Sequence, residues 1–467
     1  MASKPPVAFI GLGAMGFGMA THLLTQGYAV TAFDVFPPTL DRFLQHAQSH
    51  ARGSTASTAS SPSAAVAAAS LVVCMVATAA QAHAVLFSGP SPAAAALPRG
   101  ATLLLCSTVP CAYVRDTLAT ALVHAGRSDV DLVDAPVSGG SIRAADGTLS
   151  IMAAGSDPAL AKARPLLQAM AAPDKLYIVP GGVGAGSNMK MCHQVLAANH
   201  ILAASEALGL AKHLGLDLHK TAAELLVLAP ENKPRMSASW MLENRLPRIL
   251  AQDKDGKAPV ASAVTIILKD AGIITSEARR CGFPTPLTSV AEQVYLAALG
   301  RGWGAEDDAS LVRLYSEGVG RVGPVSGQVD GDEAKTGLVA SLLEGIHLCS
   351  TAETVAFAHH VGLDLDQVYE LCVHAAGGSQ VFASVARDMI RVLQRGASRE
   401  PDGRQETLPL AVDKMQTVVD EAQRLKCPLF LGSQALNLLR LALIKSEEAD
   451  GEAKAAPSTA VLKAWAA

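Results

Sequence analysis

The alternation of apolar and polar positions divides the chain into two halves of different period. In the first half, short apolar runs recur at Val7 to Ile10, Tyr28 to Asp34, Ser70 to Ala77, Ala101 to Pro110 and Val130 to Gly140. GTLSIMAAG and KLYIVPGG follow them. Each run reads as a strand, the one from Val130 running into a polar loop. Met15 to Leu24 and an Ala/Ser-rich stretch before Ser70 read as intervening helices. Such alternation predicts a doubly wound α/β domain with ligand groups at the carboxyl ends of its strands. The second half is helical throughout. It opens with Gly181 to Leu214, where glycines give way to apolar residues on nearly every face: Met189, Met191, Cys192, Val195, Leu196, Ile201 and Leu202 among them. That pattern predicts a long buried helix. Asp217 to Pro230, ASWMLENRLPRIL, VTIILKDAGIITSEARRCG and a stretch ending at Tyr315 continue the helical block, with the polar insert AQDKDGKAP among them.

Between the first strand and the first helix stands GLGAMG, with Gly11, Gly13 and Gly16 in the spacing G-x-G-x-x-G. Strand, glycine loop and helix together make a dinucleotide site. The glycines permit a tight turn, close approach of a pyrophosphate and close helix–strand contact, and the phosphates meet the free amides of the helix. Gly11, Leu12, Gly13, Ala14, Met15 and Gly16 are thus candidate cofactor residues, joined by Met75, Ser107 and Thr108 near the ends of later strands. Asp34 closes the second strand, where a carboxylate accepts hydrogen bonds from ribose hydroxyls and repels the extra phosphate of NADP. Arg42 lies eight residues further on, in the next helix, so NAD is the expected cofactor, with NADP the alternative.

Lys190 and Gln194 lie one turn apart in the long helix. A lysine in so apolar a helix either runs its stem along the core to water or faces a ligand cleft. Ser138, Gly139 and Gly140, after the strand from Val130, can offer a hydroxyl and amides to an anion. Asp270 interrupts another apolar helix. Glu306, Asp307 and Asp308 read as an acidic cluster at a helix N-terminus.

The helical half repeats itself. NHILAASEALGLAKHLGLDL from Asn199 matches IHLCSTAETVAFAHHVGLDL from Ile346, an offset of 147 residues, and SEARRCGFPTPL from Ser276 matches DEAQRLKCPLFL from Asp420, an offset of 144. The pattern predicts a duplicated helical domain. At those offsets Lys190 falls on Gly337, Gln194 on Ser341 and Asp270 on Lys414, and Trp240 falls near Gln380 when the preceding serines are aligned. The second copy keeps scaffold and loses candidate chemistry. The expected boundaries are 1–181 for the α/β domain, 182–316 for the first helical domain, 317–336 for a linker, 337–445 for the second copy and 446–467 for a flexible tail.

Composition narrows the picture. The net charge of −4 offers no nucleic-acid surface, and no apolar run has membrane-spanning length. The eight cysteines show no CxxC or metal spacing, which predicts no metal site and a reducing, cytoplasmic setting. The sequence passes from MASKPP straight into a strand, leaving no room for a signal peptide.

These motifs resemble those of the beta-hydroxyacid dehydrogenases, relatives of 3-hydroxyisobutyrate dehydrogenase and 6-phosphogluconate dehydrogenase. The resemblance rests on GLGAMGFGMATHLLTQG, DAPVSGGSIRAADGTLSIMAAG, GVGAGSNMKMCHQ and KDAG. KMCHQVLAANHILAASEAL, SWMLENR and EDDAS are similar to the L-threonate branch. The resemblance implies a Rossmann-like domain followed by two similar all-α domains. It implies Lys190 as acid/base, Ser138, Gly139 and Gly140 on the substrate carboxylate, and Gln194 and Asp270 in the cleft. Gln194 replaces an asparagine common in the family, and APENKPRMSA before Trp240 departs from the branch pattern. The implied activity is NAD-dependent oxidation of a small hydroxy acid, with a 3-hydroxyisobutyrate or tartronate-semialdehyde type and a non-catalytic NAD-binding scaffold as alternatives. It also implies that the copies dock as an internal pseudo-dimer.

Overall fold

The computed structural model describes residues 4–50, 55–226, 235–252, 257–316, 329–395, 406–450 and 456–465. They form two compact units, Met1–Lys190 and Met191–Ala467.

In the first unit the strands are β1 (Val7–Ile10), β2 (Val30–Phe33), β3 (Ala56–Thr58), β4 (Leu71–Cys74), β5 (Thr102–Leu105), β6 (Asp131–Asp134), β7 (Val137–Ser138), β8 (Leu149–Gly155) and β9 (Ala171–Ile178). Their order is β3-β2-β1-β4-β5-β6-β8-β7, with β9 on β8. The strands from β1 to β6 run parallel, Val7 facing Val30 on one side and Leu71 on the other. β8 is antiparallel to β6 and β7. Strand order reverses at β1, which puts a crevice at its carboxyl end, the place where such sheets bind ligands. Every residue of β1, β4 and β5 is buried, because apolar layers cover both faces. Phe9, Met19, Leu104 and Leu166 belong to one layer, and Ile10, Val72, Leu86 and Leu118 to the other.

Two expectations change here. The Ala/Ser-rich stretch before Ser70 was expected to be helical, yet it contains β3, whose Ala56 pairs with Val30. Three residues, none of them buried, are too short to show an alternation. The stretch from Val130 to Gly140, expected as one strand running into a polar loop, holds two strands, because β6 ends at Asp134 and Pro136 separates it from β7. The long helix begins at Ala185, after a loop in which Gly181, Gly182 and Gly184 take positive φ, and it runs to His213.

The second unit contains both helical copies. The first continues with Leu218–Leu226, Trp240–Leu250, Val264–Arg280 and Pro286–Gly300. The second consists of Asp332–His360, Leu365–Val373, Gln380–Arg395, Leu408–Arg424 and Phe430–Asp450. The second copy thus starts at Asp332, five residues before the expected 337. Residues 317–328 of the expected linker, 227–234, which take in the first six residues of APENKPRMSA, and 253–256 of the polar insert lie outside the described residues. The tail from 446 is not frayed where it is described. Phe430–Asp450 remains helical to its end, and Ser458–Ala464 forms a 3-10 turn with Val461 and Leu462 buried. PSTAVLKAW at 457–465 matches DDASLVRLY at 307–315, and the Thr407–Pro457 bridge matches the Ala263–Asp307 bridge. That segment completes the second copy.

The copies pack as an internal pseudo-dimer through reciprocal contacts. Trp240 N–H donates to Gly378 O and Gln380 N–H to Ala238 O, each at 3.0 Å, around an antiparallel Ser239–Ser379 bridge. Buried His200 and His347, at equivalent positions, meet with ring centroids 4.2 Å apart and planes tilted by 55°. Glu206 of the first copy accepts from the amides of Leu431 and Gly432, at the start of the last helix of the second. Glu353 of the second accepts from the amides of Leu287 and Thr288, at the start of Pro286–Gly300. Among the described residues no helix is long and apolar enough to cross a membrane.

Candidate active site

The glycine loop follows β1 and feeds the Gly16–Thr25 helix, which has no side-chain cap. Gly11 has φ of +95°, and a Cβ there would lie 2.3 Å from the carbonyl oxygen of Met75. A Cβ on Gly16 would lie 2.0 Å from Gly11 O, whereas one on Gly13 would meet nothing within 4 Å. Two glycines are therefore forced by packing, and the third leaves open space at the helix N-terminus. Leu12 is buried, while Gly13 and Ala14 are exposed and Met15 is half-buried. Open space at an uncapped helix N-terminus suits a pyrophosphate.

Asp34 stands one residue past β2. Its Oδ2 accepts the Leu12 amide at 2.6 Å and its Oδ1 the Phe36 amide at 2.9 Å. The carboxylate is thereby held beside the glycine loop. Arg42 stacks over the Phe17 ring, 4.1 Å from its centroid. Met75, past β4, donates its amide to Ile10 O at 2.8 Å. Buried Ser107, past β5, accepts the Val76 amide on Oγ at 2.9 Å, with Thr108 next in the chain. The nucleotide-loop, Met75 and Ser107 candidates therefore share one edge of the sheet.

Ser138 ends β7 and is buried; Gly139 and Gly140, with φ of +141° and +74°, turn the chain into the Gly140–Asp146 helix. That helix packs on Gly16–Thr25, where Gly18 allows the contact: a Cβ on it would lie 2.8 Å from Ala145 N.

Lys190 is 5% exposed, in the second turn of Ala185–His213. Asp134, at the end of β6 and fully buried, fixes that helix start. Its Oδ2 accepts the Ser187 amide at 2.7 Å and its Oδ1 the Ser187 hydroxyl at 2.8 Å. Burial pushes the Asp134 carboxyl up to about 6 against the lowering effect of the Ser187 hydrogen bonds. Gly186 lets the helix touch the sheet, since a Cβ there would lie 2.4 Å from Met152 O. Sequence reasoning gave Asp134 no role. The available signal was an aspartate at a strand end and a serine at a helix start, but they are 53 residues apart.

In the second unit Gln194 and Asp270 meet: Gln194 Nε2 donates to Asp270 Oδ2 at 2.5 Å. Lys269 Nζ lies 3.1 Å from the other oxygen of Asp270. His193, also unassigned from sequence, has Nδ1 at 3.0 Å from Gln194 Oε1. The acidic cluster at 306–308 has a structural role. Asp307 caps the Asp308–Val312 turn and pairs with Arg248, and Asp308 pairs with buried Arg245 of SWMLENR at 2.6 Å. Glu306 pairs with Arg313. Among the described residues no group of three or more His, Cys, Asp or Glu is placed to hold a metal ion.

Comparison with known proteins matches residues 6–183 to the NAD-binding domain of 6-phosphogluconate dehydrogenase. The helical domain described as the NAD-binding domain of NADP-dependent 3-hydroxyisobutyrate dehydrogenase matches twice, at 184–315 and 330–458. The chain belongs to the 6-phosphogluconate and 3-hydroxyisobutyrate dehydrogenase family. Within that family, L-threonate dehydrogenase of Cupriavidus necator is 36% identical over 309 residues, 66% of this chain and 95% of the relative. L-threonate dehydrogenase of Pectobacterium atrosepticum is 34% identical over 310 residues, 66% of this chain and 94% of the relative. A crystal structure of 3-hydroxyisobutyrate dehydrogenase from Salmonella typhimurium is 32% identical, covering 67% of this chain and 100% of its own at a TM-score of 0.57. The 6-phosphogluconate dehydrogenase of Plasmodium falciparum shares the fold over 93% of this chain and 92% of its own, at a TM-score of 0.67 and 15% identity. As a member of this family, the chain is an NAD(P)-binding oxidoreductase of the hydroxyacid dehydrogenase superfamily.

Proposed function

We propose that the protein oxidises the hydroxyl of a small hydroxy acid, a sugar acid of the L-threonate type, with NAD. The observation that carries this reading is Lys190, nearly excluded from water on a helix whose first turn is fastened to Asp134. A proton acceptor must be neutral, and desolvation as a rule disfavours the charged form of a lysine. Bound NAD supplies the hydride acceptor for the carbinol carbon. Lys190 Nζ takes the hydroxyl proton as the C–H electron pair leaves as hydride, and the carbinol becomes a carbonyl. Ser138 and the amides of Gly139 and Gly140 hold the carboxylate. Gln194, steadied by Asp270, orients a substrate oxygen.

Asp34 supports NAD: its carboxylate is fixed beside the loop, and Arg42 is engaged with Phe17. Val35 and Phe36, 82% and 60% exposed, give the adenine an apolar surface. L-threonate is favoured by the 34–36% identity to L-threonate dehydrogenases over nearly their full length. The test is NADH formation with L-threonate, D-glycerate, 3-hydroxyisobutyrate and 6-phosphogluconate. Highest kcat/KM on L-threonate supports the proposal; highest kcat/KM on another acid refutes that substrate, and NAD binding without turnover of any refutes the activity.

A further inference from the structure

We propose that His193 is a positioning residue for Gln194 and that the second helical copy holds it there through the main chain of Gly377. The proposal rests on the reading that Gln194 orients a substrate oxygen. The His193 ring is fully buried, and the Gly377 amide, 184 residues away, donates to its Nε2 at 3.3 Å. An Nε2 that accepts leaves the proton on Nδ1. Nδ1–H then donates to Gln194 Oε1 at 3.0 Å, which turns Gln194 Nε2 toward Asp270 Oδ2. The relay has one self-consistent polarity, from the second copy's backbone through imidazole and amide to carboxylate. A carboxylate at one end and an imidazole N–H at the other leave the amide one orientation.

The contact is built closely. A Cβ on Gly377 would lie 2.8 Å from Leu196 Cβ and 3.1 Å from His193 O, so a side chain there would separate the copies. The next residue, Gly378, accepts the Trp240 amide at 3.0 Å, which anchors the same loop at a second point. The relay exists on one side of the pseudo-dimer only. At the repeat offset His193 falls on Ala340 and Gln194 on Ser341. The second copy has therefore lost its own amide and lysine counterparts while its backbone, through His193, orients the amide of the first. This is a specific use for a copy that carries Gly337 in place of Lys190.

Two isosteric substitutions separate positioning from filling. In His193→Asn the amide nitrogen can stand near Nδ1, keeping the donor to Gln194 and losing Gly377. In His193→Gln the amide oxygen can stand near Nε2, keeping the acceptor for Gly377 and losing the donor. The full chain is assayed with the best hydroxy acid of the panel. Expected are a fall of about tenfold in kcat/KM for His193→Gln and His193→Leu, His193→Asn within about threefold of the parent, and an unchanged Kd for NAD in all three. The reverse ranking of Asn and Gln overturns the proposal, as does equal activity in all variants. A second readout does not require turnover. The Gln194 side-chain amide resonance, assigned by its loss in Gln194→Glu, is expected to exchange slowly with solvent in the parent and in His193→Asn, and fast in His193→Gln. Equal exchange in those two variants overturns the relay even if no hydroxy acid is turned over, so its failure is distinct from that of the proposed activity.

Discussion

The reciprocal glutamates at the seam give a prediction with a definite sign. Glu353 is fully buried and accepts the Leu287 and Thr288 amides, each at 2.9 Å, and the Thr288 hydroxyl at 2.5 Å. Burial pushes its carboxyl up from 4.5 to about 7, against the lowering effect of those hydrogen bonds. The folded chain thus binds this proton before the unfolded chain does. Its stabilising contribution is greatest below 4.5, falls as pH rises toward 7 and is level above. At about 1.4 kcal/mol per pH unit, the fall between pH 5 and pH 8 is about 2 to 3 kcal/mol. Glu353→Gln removes the titration but presents an NH2 to one buried donor, at a cost of about 1–3 kcal/mol. The variant is therefore expected to be destabilised at pH 5 and close to the parent at pH 8. The readout is the difference between variant and parent urea midpoints, followed by far-UV circular dichroism. The difference is needed because His200 and His347, held below 6.5 by burial, act oppositely: the stability they lend is lost as pH falls below 6.5. A difference that does not change between pH 5 and pH 8 would exclude this titration of Glu353.

Asp34→Ser is expected to raise kcat/KM with NADP relative to NAD by about tenfold or more, measured in steady state with both cofactors; an unchanged ratio contradicts the NAD assignment. Asp134→Ala strands the buried Ser187 amide and hydroxyl, and is expected to cost on the order of 2–4 kcal/mol in a denaturant melt as well as lowering kcat through Lys190. Because Asp134 is raised from 3.8 to about 6, Asp134→Asn is expected to gain stability relative to the parent as pH rises from 4 to 6, then hold level; a pH-independent difference would exclude that titration.

What could be read from the sequence was what local geometry decides. Gly11 and Gly16 are dictated by contacts within their own loop and its neighbouring strand end, so their spacing reports the fold directly. Asp34 is legible for the same reason, being one residue past a strand that pairs with β1. Lys190 stands out because a charge breaks an apolar helix. The repeat was visible because both copies bury the same faces. Asp134 and His193 were not legible as positioning groups, since their partners lie 53 and 184 residues away. Glu206 and Glu353 occupy matching positions in the two copies, yet nothing local shows that each caps a helix of the other. β3 escaped because its three residues carry no burial pattern. The tail was misread because its Ala- and Lys-rich composition hid a copy of DDASLVRLY.

Lys190 is proposed to carry the proton transfer of a hydroxy-acid oxidation. The most direct test is kcat with NAD and the best acid of the panel for the parent and Lys190→Ala, together with the Kd for NAD. A loss of about 10²–10⁴ in kcat with NAD affinity unchanged is expected. A variant that turns over within about tenfold of the parent would contradict it.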